Sequence, residues 1–337
     1  MQTERKPIKV LVLRFSSIGD IVLTTPVVRC LKKQLPQGSE VHFLTKNGFT
    51  DFLKNNPHIS KLYGINKKVS EILPELKNER YDVVIDLHKN IRTLQVKTAL
   101  KIKSHTFKKL NIEKWIYVNF KWNLLPNTHI VDRYFEAVKP LGVINDNKGL
   151  DYFIPKNEEI SITHLPENFK NGFIAFTVGA KFASKSMPSN KIISLCQKMP
   201  LPVVLLGGKE DGAKAEKISS ACRNAVYNAC GKYNLNGSAS ILKLSQLVVA
   251  HDTGLMHIAA AFNKKIISIW GSTVPQFGMY PYVPQTSDNI FIAEVNHLSC
   301  RPCSKIGFDT CPKKHFRCMM QQNEDEIVSV VNRFLSK

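Results

Sequence analysis

Ile8-Lys9-Val10-Leu11-Val12-Leu13-Arg14 runs directly into Phe15-Ser16-Ser17-Ile18-Gly19-Asp20. Four consecutive apolar residues suit a strand buried on both faces, as in the interior of a parallel sheet. The glycine and the acid that follow mark a turn opening a helix, expected over 21–35 and stopped by Pro36. The same unit recurs downstream. Strands are expected at 40–45 and 81–87, and helices at 69–79 and 129–141. Strands alternating with helices predict βαβ units and a parallel sheet.

A polar stretch, 145–171, holds Pro155 and Pro166 and reads as a linker. The pattern restarts at Gly172, with strands expected at 173–178, 202–206, 247–251 and 265–269. Helices are expected at 189–199, 213–224 and 254–262, and Ile327, Val328, Val331 and Leu335 give 324–335 helical spacing. With 337 residues, 43% of them hydrophobic, the chain exceeds what one core holds. The expectation is two doubly wound α/β domains, 1–155 and 172–322, and a final helix within 323–337 packing back towards the first domain. Ligands of such sheets bind at the carboxyl ends of the strands, and a cleft between two of them suits two substrates.

The formal charge is +20, from 47 Lys and Arg against 27 Asp and Glu. Such a surface attracts polyanions: nucleic acid, an anionic membrane or an acidic substrate. The first apolar run is too short for a secretory signal, and no run of about 18 uncharged apolar residues suggests a spanning helix. A cytoplasmic protein, soluble or peripheral to a membrane, is expected. Neither Gly-x-Gly-x-x-Gly nor Gly-Lys-Ser/Thr occurs, which argues against a dinucleotide-dependent oxidoreductase and a P-loop enzyme. No nucleic-acid-binding signature supports reading the charge that way. A polyanion-binding protein remains the non-enzyme alternative.

Three turns carry candidate chemistry. Asp20 is either a capping carboxylate or a general base. His251-Asp252-Thr253-Gly254-Leu255-Met256-His257 follows the apolar run Leu247-Val248-Val249, placing backbone N–H groups and a hydroxyl where a diphosphate could sit. Lys181 and Lys185 follow the first strand of the second half, and Lys185 suits the growing charge of a diphosphate leaving group. Taken singly, His257 is more often a satisfied core histidine.

Together these strings resemble glycosyltransferase family 9, the lipopolysaccharide heptosyltransferases. Ser16-Ser17-Ile18-Gly19-Asp20 and Asp252-Thr253-Gly254-Leu255-Met256-His257 carry the resemblance most strongly. Weaker matches are 81–88, 129–134, 185–188 and 271–275. The resemblance implies a GT-B fold, two Rossmann-like domains facing across a cleft. It implies an inverting, metal-independent transfer of heptose from ADP-heptose to a lipopolysaccharide core or related glycolipid, with no cofactor. By position, Asp20 would be the base and Lys185 the counter-charge. Lys181, Asp252, Thr253, Gly254, Leu255 and His257 would line the donor site, and Ser17, Gly19, Lys89 and Arg92 the acceptor site. The partners implied are a nucleotide-sugar donor, an anionic glycolipid and the inner membrane surface. The loop 271–282 departs from the pattern of the best-known heptosyltransferases, which leaves another nucleotide sugar open as donor.

Residues 88–122 carry nine Lys or Arg against one acid, Glu113, with aromatics interleaved. They read as an acceptor or membrane face, or as an ordinary helix with lysines outward and Trp115 or Phe120 inward. Cys300, Cys303, Cys311 and Cys318 leave structural zinc, a disulfide or free thiols open. Charge reversal at Lys101, Lys103, Lys108 and Lys109 is expected to weaken acceptor or vesicle binding and spare donor binding. Acceptor kinetics indifferent to a salt series would contradict this.

Overall fold

The structure, a computed structural model, describes residues 6–223 and 225–336. It divides into two compact units: Met1–Lys109 with Thr128–Phe153, and Leu110–Asn127 with Ile154–Lys337. Each unit has its own all-parallel sheet.

The first sheet comprises β1 (Lys9–Leu13), β2 (Glu40–Lys46), β3 (Lys61–Ile65), β4 (Val83–Asp86) and β5 (Ser104–Thr106), ordered β3-β2-β1-β4-β5. Val10 to Leu13 are wholly buried because β1 lies between β2 and β4, with Val10 opposite Val41 and Val83. The helices are α1 (Ile18–Val22), α2 (Thr25–Gln34), α3 (Leu73–Asn78), α4 (Ile91–Leu100), α5 (Asn111–Phe120) and α6 (Ile130–Phe135). The single helix expected over 21–35 is two. Pro26 has no N–H to give, and its ring would crowd the carbonyl four residues back, so it occupies the first turn of a new helix. Pro74 likewise starts α3 late, leaving 69–71 as a 3₁₀ turn.

The second sheet comprises β6 (Ile174–Thr177), β7 (Val203–Leu206), β8 (Val226–Asn228), β9 (Leu247–His251), β10 (Lys265–Trp270) and β11 (Ile290–Glu294), ordered β11-β10-β9-β6-β7-β8. Its helices are α7 (Ser189–Lys198), α8 (Gly212–Ala221), α9 (Leu235–Leu244), α10 (Gly254–Ala261), α11 (Arg317–Met320) and α12 (Glu324–Leu335). Asn224, the expected end of the helix over 213–224, lies outside the described residues.

Three expectations of organisation are corrected. α12, expected to stand apart from the second domain, buries Ile327, Val330, Val331 and Phe334 in the core that holds Ile174, Val249 and Ile267 and so belongs to the second unit. The expected linker is largely packed: Ile160 N–H donates to Ser240 Oγ at 2.8 Å, and Phe169 is buried. Leu110–Asn127, read as part of the first domain, belongs to the second unit, where Tyr117 meets Phe277 edge-on and Lys121 Nζ donates to the Pro302 carbonyl. Among the described residues no helix is long and apolar enough to cross a membrane.

Within the first unit, buried Arg29 on α2 donates to both Asp146 oxygens and the Gly149 carbonyl and pairs with Asp151. Removing one partner of a buried ion pair strands the others, so Arg29→Ala is expected to cost about 3–5 kcal/mol in chemical denaturation. A loss below about 1 kcal/mol would show the 146–151 segment to be held by other contacts.

Candidate functional site

In both sheets the strand order reverses between two adjacent strands, β1 and β4 in the first, β6 and β9 in the second. The crossovers leave such a pair in opposite directions, which opens a crevice at the strands' carboxyl ends. Every turn singled out in the sequence lies at one of these two places.

In the second unit, Lys185 comes from the turn after β6 and Asp252 from the turn after β9. Lys185 Nζ donates to Asp252 Oδ2 at 2.5 Å, and Thr273 Oγ1, from the turn after β10, donates to the same oxygen at 2.9 Å. Thr253 is the N-cap of α10 with extended backbone, but its side chain makes no capping bond and its hydroxyl has no partner. The first N–H groups of α10 therefore lack a side-chain acceptor, the condition in which a helix end receives an anion. Gly254 and Leu255 form the first turn. His257 is buried within α10. Lys181 is exposed, its ammonium 5.6 Å from the Phe182 ring, and does not join the cluster.

The lysine turn is braced from below. Half-buried Lys214, on α8, donates to the Val178 and Met187 carbonyls and to Ser186 Oγ. Burial draws its pKa down to about 8, against the pull of Asp211, so it remains cationic at neutral pH. His251, wholly buried, accepts from Met187 N–H at 3.0 Å through Nε2, and burial lowers its pKa to about 3. Ser184 and Ser272 hydroxyls meet at 2.9 Å. A Cβ on Gly271 would come within 2.9 Å of the Ser184 carbonyl oxygen, so that approach requires glycine. Arg301 donates to the Gly271, Thr273 and Val295 carbonyls and pairs with Glu294 at 2.9 Å.

Arg301 lies between two of the clustered cysteines. All four are free thiols, and among the described residues no three His, Cys, Asp or Glu side chains are placed to hold one metal ion. Burial pushes the Cys318 thiol up to about 12, with Cys303, Cys311 and Cys300 adding to the shift.

In the first unit Asp20 is the third residue of α1. Its Oδ2 accepts from Ser17 N–H at 3.2 Å and Ser17 Oγ at 2.7 Å, so the capping role is real. Its Oδ1 lies 2.7 Å from Arg14 Nη2. Arg14 is buried and also donates to the Ser16 and Leu87 carbonyls and Tyr134. Gly19 is buried inside α1 and forms no separate turn. At the end of β4, wholly buried Asp86 accepts from the N–H groups of His88 and Lys89 and pairs with Lys97 at 2.9 Å. Lys89 is exposed there with φ of 55°. Arg92 lines a cavity of about 770 Å³ together with Lys67, Lys68, Ser70, Asn90 and Gln95. Arg14, Thr273, Lys214 and Arg301 were not singled out in the sequence. Each is common in type and acquires its part only through distant residues.

A model of glycosyltransferase family 9 (heptosyltransferase) matches residues 69–312. The chain is 27% identical over 294 residues to lipopolysaccharide heptosyltransferase 1 of Campylobacter coli, covering 79% of this chain and 84% of that protein. A family 9 glycosyl transferase from Veillonella parvula superposes with a TM-score of 0.78 at 19% identity, over 99% of this chain and 98% of that one. Escherichia coli ADP-heptose lipopolysaccharide heptosyltransferase II does so with a TM-score of 0.72 at 17% identity, over 97% and 98%. These likenesses identify the fold as GT-B-like, with two doubly wound domains.

His88 yields a pH test of the first unit's turn. Its Nδ1 accepts from Phe15 N–H at 3.0 Å, which requires an unprotonated nitrogen. Burial, then Arg14 and Lys109, lower its pKa to about 4. As pH falls below about 6.5 the unfolded chain takes up this proton before the folded one does. The contribution of His88 to stability is therefore full above about 6.5 and is lost as pH falls towards 4. His88→Asn, which can still accept from Phe15, is expected to flatten urea stability over that window. An unchanged slope would assign the acid sensitivity to other groups.

Proposed function

The chain belongs to glycosyltransferase family 9, whose members act in nucleotide-sugar transfer, and from that premise we propose that it moves a heptose from ADP-heptose to a lipopolysaccharide core or a related anionic glycolipid. The observation that carries this reading is the cluster of Lys185, Asp252 and Thr273 beside the uncapped start of α10. It offers a cation, hydroxyls and backbone N–H groups at a switch point, which is what a nucleoside diphosphate requires. Heptose and lipopolysaccharide are taken from what the Campylobacter coli relative is named for.

The proposed chemistry is a single displacement with inversion, using no metal and no cofactor. The acceptor oxygen forms a bond to the anomeric carbon as the bond from that carbon to the diphosphate oxygen breaks. The electron pair leaves with the nucleoside diphosphate, and the acceptor's proton passes to Asp20. The transition state has sugar-cation character, as in other glycosyl chemistry. Lys185 has one strong partner, Asp252, and a diphosphate with more charge than one carboxylate would draw on it further as the leaving group develops. Thr253 and the N–H groups at Gly254 and Leu255 would take the remaining oxygens. Ser17 and Gly19 would shape the acceptor side, and Arg92, with Lys67 and Lys68, would receive acidic groups of the acceptor. We place the enzyme in the cytoplasm, peripheral to the inner face of the membrane that carries its acceptor.

A transfer assay over a panel of nucleotide sugars, with ADP-heptose among them, tests this reading. Asp20→Ala is expected to lower turnover by about 10²–10⁴ while ADP still raises the melting temperature. Lys185→Ala is expected to weaken both. Full turnover in Asp20→Ala would move the base elsewhere, and activity only with another nucleotide sugar would replace the donor.

A further inference from the structure

Leu110–Asn127 carries a surface that the proposed transfer does not use. None of the ten residues of α5 is buried. One side of the segment is held: Tyr117 lies against Phe277 with ring centroids 6.1 Å apart, Lys114 Nζ is 5.7 Å from the same ring, and Lys121 Nζ donates to the Pro302 carbonyl at 2.8 Å. The other side is apolar and open. Ile112 is 72% exposed, Trp115 51%, Phe120 53%, Trp122 67% and Leu124 59%. The rings adjoin one another, Trp115 with Phe120 at 5.6 Å and Phe120 with Trp122 at 5.8 Å. Single exposed apolar residues are ordinary, but a contiguous aromatic patch points to a partner. The expectation that Trp115 or Phe120 turns inward is thereby corrected.

Charge selects the partner. Residues 108–122 hold Lys108, Lys109, Lys114 and Lys121 against Glu113 alone. A second copy would bring a chain of formal charge +20 against another of +20. Protein interfaces also tend to exclude lysine from their centres. Indole rings and lysines side by side instead match an anionic bilayer: the rings settle at headgroup level, and the ammonium groups reach the phosphates. We infer that 110–124 is a docking surface for an anionic lipid bilayer. α5 lies along the membrane plane, and Trp115, Phe120 and Trp122 enter the headgroup region.

Vesicle binding needs neither donor nor acceptor, so this inference stands or falls apart from the assigned substrates. The third tryptophan of the chain, Trp270, is buried, so a lipid-induced emission change reports Trp115 and Trp122. The full chain is expected to sediment with vesicles containing phosphatidylglycerol and not with pure phosphatidylcholine. The bound fraction should fall as salt shortens the Debye length from about 10 Å towards about 3 Å. Lipids brominated near the headgroup should quench the emission. The variant W115S/F120S/W122S should lose about tenfold or more in vesicle partitioning with an unchanged melting temperature. Three results would overturn the inference: no binding to anionic vesicles at low salt, equal binding by the triple variant, or a dimer seen by light scattering that the triple variant abolishes.

Discussion

The constraint on which the chemistry rests is the proximity of β6 and β9, neighbours in space whose crossovers diverge. A lysine and an aspartate 67 residues apart in sequence are brought to 2.5 Å because each ends the first turn beyond one of these strands. Both side chains are mostly withdrawn from solvent. Opposite charges at such a distance attract by several kcal/mol at an effective dielectric constant of about 20, far more than an exposed pair retains. The pairing fixes the lysine before any ligand arrives. A long flexible side chain would otherwise lose rotamer freedom at the moment of binding. In the proposed transfer, Asp252 would act on a diphosphate indirectly, by presenting Lys185 and, through the same oxygen, Thr273.

Presentation of this kind needs a rigid base, which comes from residues that touch no candidate ligand. Lys214 binds three acceptors under the lysine turn, and His251 binds the Met187 amide from the other side. Arg301 does for 271–273 what Lys214 does for 178–187, donating to carbonyls that would otherwise be free to move. Arg301 also gives the cysteine-rich segment a structural purpose independent of any metal: it carries the guanidinium that holds the Thr273 backbone. Buried polar networks of this sort are stable only when nearly every member is satisfied. Loss of one such donor should therefore disturb the turn it supports more than the sheet.

Much of this was legible in the sequence. Val10 to Leu13 and Leu247 to Ala250 are apolar without interruption, and only a central parallel strand buries both faces. The turns after them were therefore placed correctly at the strand ends. Prolines misled where their effect was local: Pro26 and Pro74 restart helices that periodicity read as continuous. The short strands β5 and β8, three residues each, carry too few residues to show any period. α5 was left open between an acceptor or membrane face and an ordinary helix for a different reason. Its apolar residues are split between an exposed side and half-buried Ile116, Tyr117 and Val118, so the pattern does not say which face meets a core. Thr273 was marked only as part of the stretch 271–275, and Arg14 and Arg301 were given no role of their own. An arginine after a strand is unremarkable until Leu87, Tyr134 and Asp20 are seen around it.

Arg14 also sets the terms on which Asp20 can act. A buried guanidinium at 2.7 Å favours the charged carboxylate, and a base must be charged to accept a proton. The same attraction opposes the transfer, because protonating Asp20 would leave Arg14 buried without its counter-charge. The two carboxylate oxygens are not equivalent in this respect. Oδ1 is committed to Arg14, whereas Oδ2 accepts from Ser17, whose hydroxyl can rotate and whose N–H is at 3.2 Å. In the proposed transfer, Oδ2 is the oxygen that would take the proton, with Ser17 beside it. The loss of attraction on Oδ1 is softened by the carbonyls of Ser16 and Leu87, which keep Arg14 hydrogen-bonded whatever the state of the acid. Held in this way, the proposed base suits a displacement in which the leaving group departs before the acceptor has lost its proton.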